Sequence, residues 1–164
     1  MKKRWFVVLA ACLTLFVACN SAGGFKNITI PENFVTYENE NYAIRYPNDM
    51  VVTWSDGFLN AECHGAGAQL DAAFVSDAPT RKQLKQYARS LIYVLKYNEE
   101  TCNAPIIKSG VLTLRSENEN TVKHHFFVLE GNGSGVLGSF SYSKEMAGTW
   151  DAYVAPVIAS IQFK

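Results

Sequence analysis

Polar and apolar positions alternate through much of the chain, and the alternation predicts strands. Tyr42, Ile44 and Tyr46 alternate with Ala43 and Arg45, the period of a half-buried strand over 42–46. Residues 25–30 and 34–38 are also β-like, with Pro31 between them and the turn Glu38-Asn39-Glu40-Asn41 after them. Further strands are expected at 50–54, 58–63 and 68–75. Ser55-Asp56-Gly57 is the first turn among these, and the last two strands form a hairpin around Gly65 and Gly67. Strands at 111–115, 122–129 and 136–142 follow Pro105, with turns at 116–120 and in a glycine-rich loop.

Two segments break this period. Leu84, Tyr87, Ala88, Leu91, Val94 and Leu95 recur at helical spacing, with Arg81, Lys82, Lys85, Gln86 and Arg89 on the other face. A long helix is therefore expected over 80–98, with Thr80 as its N-cap after Pro79. Its early basic residues and closing Glu99-Glu100 oppose the helix dipole, a small term that packing outweighs. A shorter apolar helix is expected over 150–159, shortened or kinked by Pro156, and a terminal strand or helix extension at 160–163. The fold class is α+β: an antiparallel sheet with one long and one short helix packed on it.

The N-terminus has another character. Met1-Lys2-Lys3-Arg4 precedes an uncharged apolar run to Ala18, too short for the ~20 residues of a spanning helix. A basic start and a short apolar run make a secretory signal. It resembles the signal of bacterial lipoproteins, in which a cysteine after small residues is acylated and becomes the mature N-terminus. Cys19 follows Leu15-Phe16-Val17-Ala18 and is the favoured site. Cys12, after Leu9-Ala10-Ala11, leaves a shorter apolar run. This divides the chain into a signal peptide (1–18), a lipidated cysteine with a short tether (19–24) and a single α+β domain (25–164). Two or more acyl chains would anchor it stably. The resemblance implies a lipid-anchored protein of the bacterial cell envelope. Absence of Asp after Cys19 points to the outer membrane, on its periplasmic or surface face.

The chain has 164 residues, 48% of them hydrophobic, with 15 basic and 15 acidic side chains. Such a chain can bury a core, and zero net charge argues against a nucleic-acid partner. Removing Lys2, Lys3 and Arg4 with the signal leaves 12 basic against 15 acidic residues, a net of −3. Cys63 and Cys102, 39 positions apart, are a candidate disulfide in an oxidising compartment, worth about 4 kcal/mol. Two free buried thiols are the alternative.

The remaining chemistry is sparse. Gly133-Ser134-Gly135-Val136-Leu137-Gly138 spells a dinucleotide fingerprint but precedes a strand-like segment, so it reads as a hairpin loop. His124 and His125 are adjacent on a strand, so their rings face opposite sides, one to the core or an aromatic neighbour and one to solvent. The same rule disfavours a metal site at Cys63-His64. Of the carboxylate pairs, Glu38/Glu40 and Glu117/Glu119 lie in Asn-rich turns and read as ordinary solvated acids, while Glu99/Glu100 close the helical segment. Asn27-Ile28-Thr29 and Asn132-Gly133-Ser134 are glycosylation triplets, read as unused behind a bacterial signal. Trp54, Phe58, Trp150 and Tyr153 are candidates to line a groove for a sugar or peptide, though large aromatics usually belong to a core. No catalytic residue, metal ligand or cofactor is assigned.

Three segments carry a resemblance to the PsbP-like superfamily. That superfamily includes photosystem II extrinsic subunits, a Ran-binding nuclear-transport factor and many bacterial lipoproteins. The first segment is the early hairpin 34–50, with Tyr46-Pro47 and then Met50 where the family often has an aromatic. The second is the strand 68–75 leading into the helix at 80–98. The third is the ending Tyr153-Val154-Ala155-Pro156-Val157-Ile158-Ala159-Ser160-Ile161-Gln162-Phe163. The resemblance covers 34–163 and implies an antiparallel sheet with helices on its faces. It implies no activity, since members are mostly binding or assembly factors. Together with the signal it makes the expected function a non-enzymatic, lipid-anchored binding or assembly factor that uses a sheet face or loop rim to bind an envelope protein or ligand. The alternative is an enzyme or ligand-binding protein acting on an envelope polymer such as peptide or carbohydrate.

Overall fold

The structure, a computed structural model, describes residue 25 and residues 27–131 and 133–164. The signal, Cys12, Cys19, the tether and Asn132 lie outside the described residues. Strands β1 (Phe34–Glu38) and β2 (Tyr42–Pro47) form a hairpin whose turn is set by one side chain. Asn39 Oδ1 accepts the backbone N–H groups of Asn41 and Tyr42, each at 2.9 Å. The last strand, β11 (Gln162–Phe163), pairs antiparallel with the other edge of β2 and completes a three-stranded sheet, β1-β2-β11.

The other eight strands form one antiparallel sheet. They are β3 (Val51–Trp54), β4 (Phe58–Cys63), β5 (Ala68–Val75), β6 (Thr101–Cys102), β7 (Ile106–Lys108), β8 (Val111–Glu117), β9 (Thr121–Leu129) and β10 (Gly135–Ser143). Their order is β3-β4-β5-β10-β9-β8-β6, and β7 shares with β6 the outer edge of β8. Ser109 and Gly110, at φ 52° and 82°, make the two-residue turn of the β7–β8 hairpin, whose twist requires positive φ at both positions. Pairing at β6 and β7 extends beyond the strands the hydrophobic pattern marks. Residues 27–30, expected as a strand, form none.

Each face of the large sheet buries a different core. On one face Val122, Phe126 and Val128 of β9, with Val136, Phe140 and Tyr142 of β10, pack against α2 (Ala147–Ala159) and the small sheet. Tyr42 links the two sheets. Its ring is fully buried, and its hydroxyl donates to the Ala72 carbonyl on β5 at 2.8 Å. Full burial of such a side chain contributes about 1.5–3 kcal/mol. Ser160, just after α2, accepts the Arg45 N–H on β2 at 2.8 Å and so closes the end of that ladder. On the opposite face Leu112, Phe127 and Leu137 lie under Leu84 and Ala88 of α1 (Leu84–Tyr97).

Both helices differ from expectation at their ends. α1 begins at Leu84, not Thr80, because 81–83 form a turn. There the Thr80 amide and hydroxyl both donate to Gln83 Oε1, at 2.8 Å, which is half of a capping box. α2 runs through Pro156 for three more residues. The carbonyl that Pro156 leaves without a helical donor belongs to Ala152, which is exposed and open to water. With 14 and 13 residues the helices are nearly equal, not one long and one short.

Cys63 and Cys102 are free thiols, so the disulfide weighed from spacing is not formed. Cys63 is on β4 and packs on the α2 side. Cys102 is on β6, paired with Ser116, whose register partner Lys123 faces α1. Five strand steps separate β4 from β6, about 24 Å at ~4.8 Å each, where a disulfide tolerates under ~7 Å.

Candidate functional site

The α1 side of the large sheet changes character along its strands, and the register shows how. The row Phe58, Ala73, Leu137, Phe127, Leu112 is apolar and runs beneath α1. The next row, two residues along each strand, is Asn60, Asp71, Ser139, His125, Leu114. The row beyond is Glu62, Gln69, Ser141, Lys123, Ser116. Residues facing one side of a sheet recur every second position, so these rows form one continuous surface. Between α1 and the sheet, Tyr87 and Leu91 stand opposite Phe58, Ala73 and Leu137. They enclose a groove of about 310 Å³ whose floor runs on to Asp71, Ser139, His125 and Lys123.

The polar floor is held together by its own hydrogen bonds. Asp71 Oδ1 accepts Asn60 Nδ2 at 2.6 Å and Gln69 Nε2 at 3.1 Å, and Oδ2 accepts the Ser139 hydroxyl at 3.4 Å. Asn60 Oδ1 in turn accepts the Thr53 hydroxyl. That contact exists because β3 is irregular: its register with β4 shifts between Val52 and Trp54, which sets Trp54 opposite Asn60. Trp54 is 61% exposed and Phe58 37%, so the open rim of the floor is aromatic.

His125 closes the floor toward β8. Burial, reinforced by the Lys123 charge and opposed by Glu100, pushes its pKa down to about 4, so the ring is neutral near pH 7. Its Nε2 lies 3.1 Å from the Ser116 hydroxyl, which donates to Glu100 Oε2 at 2.6 Å. Serine, histidine and an acid thus meet, but with serine in the middle. The serine proton is committed to Glu100, so the hydrogen-bond network assigns the imidazole proton to Nε2 and makes His125 a donor, not a base. Ser116 is also only 1% exposed and cannot reach a substrate. The trio joins Glu100, between α1 and β6, to β8 and β9.

His124 faces the other side, as strand geometry requires. Its Nε2 lies 2.8 Å from the Tyr142 hydroxyl and 3.3 Å from Asp151 Oδ1, and Tyr142 donates to the same carboxylate. Burial lowers the His124 pKa, and the nearby Asp151 partly offsets it. Burial and Asp151 together raise that of Tyr142. This clip ties α2 to β9 and β10. Neither histidine turns outward to solvent: both are half-buried.

Other residues singled out by sequence are dispersed. Gly133 lies in the β9–β10 loop, while Gly135 and Gly138 are inside β10. Trp150 is buried and Tyr153 packs edge-on against Phe34 and Trp150 in the α2 core, so neither joins Trp54 and Phe58. Glu38 pairs with Lys164 at 2.8 Å, and Glu117 with Arg115 at 2.7 Å. Asn60, Gln69, Asp71 and Ser139 were not singled out. Their signal was available: once the 58–63 and 68–75 hairpin is drawn, its polar alternate positions face one another.

No family model matches the chain, nor does any curated protein in sequence. Among solved structures, the fold matches the solution structure of cyanobacterial PsbP (CyanoP) from Synechocystis, with a TM-score of 0.53. The match covers 91% of this chain and 99% of that one, at 14% identity. The fold is therefore α+β and PsbP-like, as the three sequence segments led us to expect. No helix among the described residues is long and apolar enough to cross a membrane.

Proposed function

We propose that this chain is an exported, lipid-anchored envelope protein that works as a non-enzymatic binding or assembly factor. Its basic start, short apolar run and Cys19 support export and acylation, with the acyl chains holding the domain at the membrane. One observation carries the binding reading. The α1-side groove joins an exposed aromatic rim to a polar floor whose hydrogen bonds are already made, so little ordering is needed to engage a ligand. The Ser116, His125 and Glu100 arrangement supports a non-enzymatic role, since none of the three is a free nucleophile or base.

Metabolic labelling with an alkyne-bearing palmitate tests the anchor. Wild type and Cys12→Ala are expected to take the label and sediment with membranes, whereas Cys19→Ala loses both. Label persisting in Cys19→Ala and lost in Cys12→Ala would move the site to Cys12. Absence of label from the wild type would end the lipoprotein reading.

A further inference from the structure

The geometry points to a carbohydrate-binding face: the floor around Asp71, with Trp54 and Phe58 at its rim, takes a neutral, hydroxyl-rich oligosaccharide laid across β4, β5 and β10. This names the ligand class for the binding-protein reading and rests on it. Three features of the face select a glycan.

The first is the balance of hydrogen-bonding groups. Asp71 is an acceptor, Asn60 and Gln69 carry both donors and acceptors, and Ser139 carries a hydroxyl, all linked in one network. Each sugar hydroxyl likewise both donates and accepts, and neighbouring hydroxyls on a ring can engage both oxygens of one carboxylate. The second is the pairing of that network with flat aromatic faces. Trp54 stands opposite Asn60 on the same face, held there by the β3 irregularity. Phe58 lies two residues from Asn60 on β4 and borders the groove. A pyranose has one face of C–H groups, which an exposed aromatic ring covers while the hydroxyl edge meets the polar floor.

The third feature excludes an added peptide strand. β4, β5, β10 and β9 are interior strands with neighbours on both sides, so their backbone groups are taken and only side chains are offered. The groove lining itself carries one acid, Asp71, and one base, Lys123, so within the groove neither sign of ligand charge is selected. From Asn60 to His125 the polar row spans three strand steps, about 14 Å, a length suited to several linked sugar rings and not to one.

Isothermal titration of the full-length protein, purified in a detergent without a sugar headgroup, tests this. The probes are the hexasaccharides of glucose, mannose, xylose and N-acetylglucosamine in β-linkage, and one uncharged apolar hexapeptide. At least one hexasaccharide is expected to bind, with affinity falling about tenfold or more in Trp54→Ala and in Asp71→Asn. Tyr97→Ser on α1 is expected to leave affinity unchanged. Trp54 is exposed, so an unaltered melting temperature in Trp54→Ala separates lost binding from lost folding. Failure of every hexasaccharide to bind would overturn the proposal, as would affinity indifferent to both substitutions. Binding of the peptide alone, sensitive to Trp54→Ala, would also overturn it while leaving the binding-protein reading intact.

Discussion

Gly138 lies in the middle of β10, between Phe126 on β9 and Ala72 on β5, and its hydrogen occupies space no side chain can share. A Cβ built there would lie 2.3 Å from Phe126 Cζ and 2.4 Å from the Asp71 carbonyl oxygen. The Phe126 ring is 1% exposed and packed in the main core. The Asp71 carbonyl belongs to the strand backbone, so neither neighbour yields cheaply. Overpacking of this kind costs about 1–3 kcal/mol, and two obstructed contacts place Gly138→Ala at the upper end. Alanine regains about 0.5–1 kcal/mol of backbone entropy, so the net loss is about 2 kcal/mol. For a domain of this size that lowers the melting temperature by about 6–8 °C. Thermal unfolding followed by circular dichroism measures it. Gly131→Ala, whose Cβ meets nothing within 4 Å, is the control and is expected to stay within about 0.5 kcal/mol of wild type. A Gly138→Ala protein melting within about 2 °C of wild type would refute the steric argument. It would mean that β5 and β10 separate easily beside Asp71, and that the floor is softer than its hydrogen bonds imply.

Three other outcomes follow from named contacts. Glu99 holds φ 62° just after α1, while the Glu100 amide donates to the Leu95 carbonyl at 3.0 Å, so a left-handed residue closes the helix. Glu99→Gly is expected to stabilise by about 0.5–1 kcal/mol in urea unfolding, and a loss of stability would contradict the closure described. His125 has a folded-state pKa lowered from 6.5 to about 4, so as pH falls the unfolded chain takes the proton first. Its effect on stability is nil above about pH 6.5 and grows to a loss of about 3 kcal/mol near pH 4. His125→Gln should flatten that part of the pH profile; identical profiles would count against burial as the cause. Finally, alkylation of denatured protein without reductant should modify both Cys63 and Cys102, and protection of the two together would restore the disulfide.

The hydrophobic pattern located most of the large sheet because its strands are half-buried and alternate. β1, β4 and β5 coincide with expectation to the residue. β6 and β7 escaped because two or three residues cannot display a period; they exist through pairing with β8. The α1 start escaped because Thr80 does cap a turn, but Gln83 accepts from it and delays the helix to Leu84. The segmentation into two sheets was invisible locally, since β11 finds β2 more than a hundred residues upstream. The candidate face was half legible. Trp54 and Phe58 stood out as aromatics, but their former companions Trp150 and Tyr153 belong to the core. Asp71 looks ordinary in sequence and acquires its meaning from Asn60 and Ser139, which approach it across two different strand pairings.

The claim that the α1-side face is the working surface can be tested in living cells. A photoreactive benzoylphenylalanine would replace Phe58 at the groove rim or, as control, Tyr97 on the exposed side of α1. A higher-mass adduct is expected in the membrane fraction from position 58 and none from position 97. The position-58 adduct should disappear when Asp71→Asn is combined with it, and glycosidase digestion should collapse it if the occupant is a glycan. Adducts from position 97 alone, or a position-58 adduct indifferent to Asp71→Asn, would mean that the α1-side face is not the working surface.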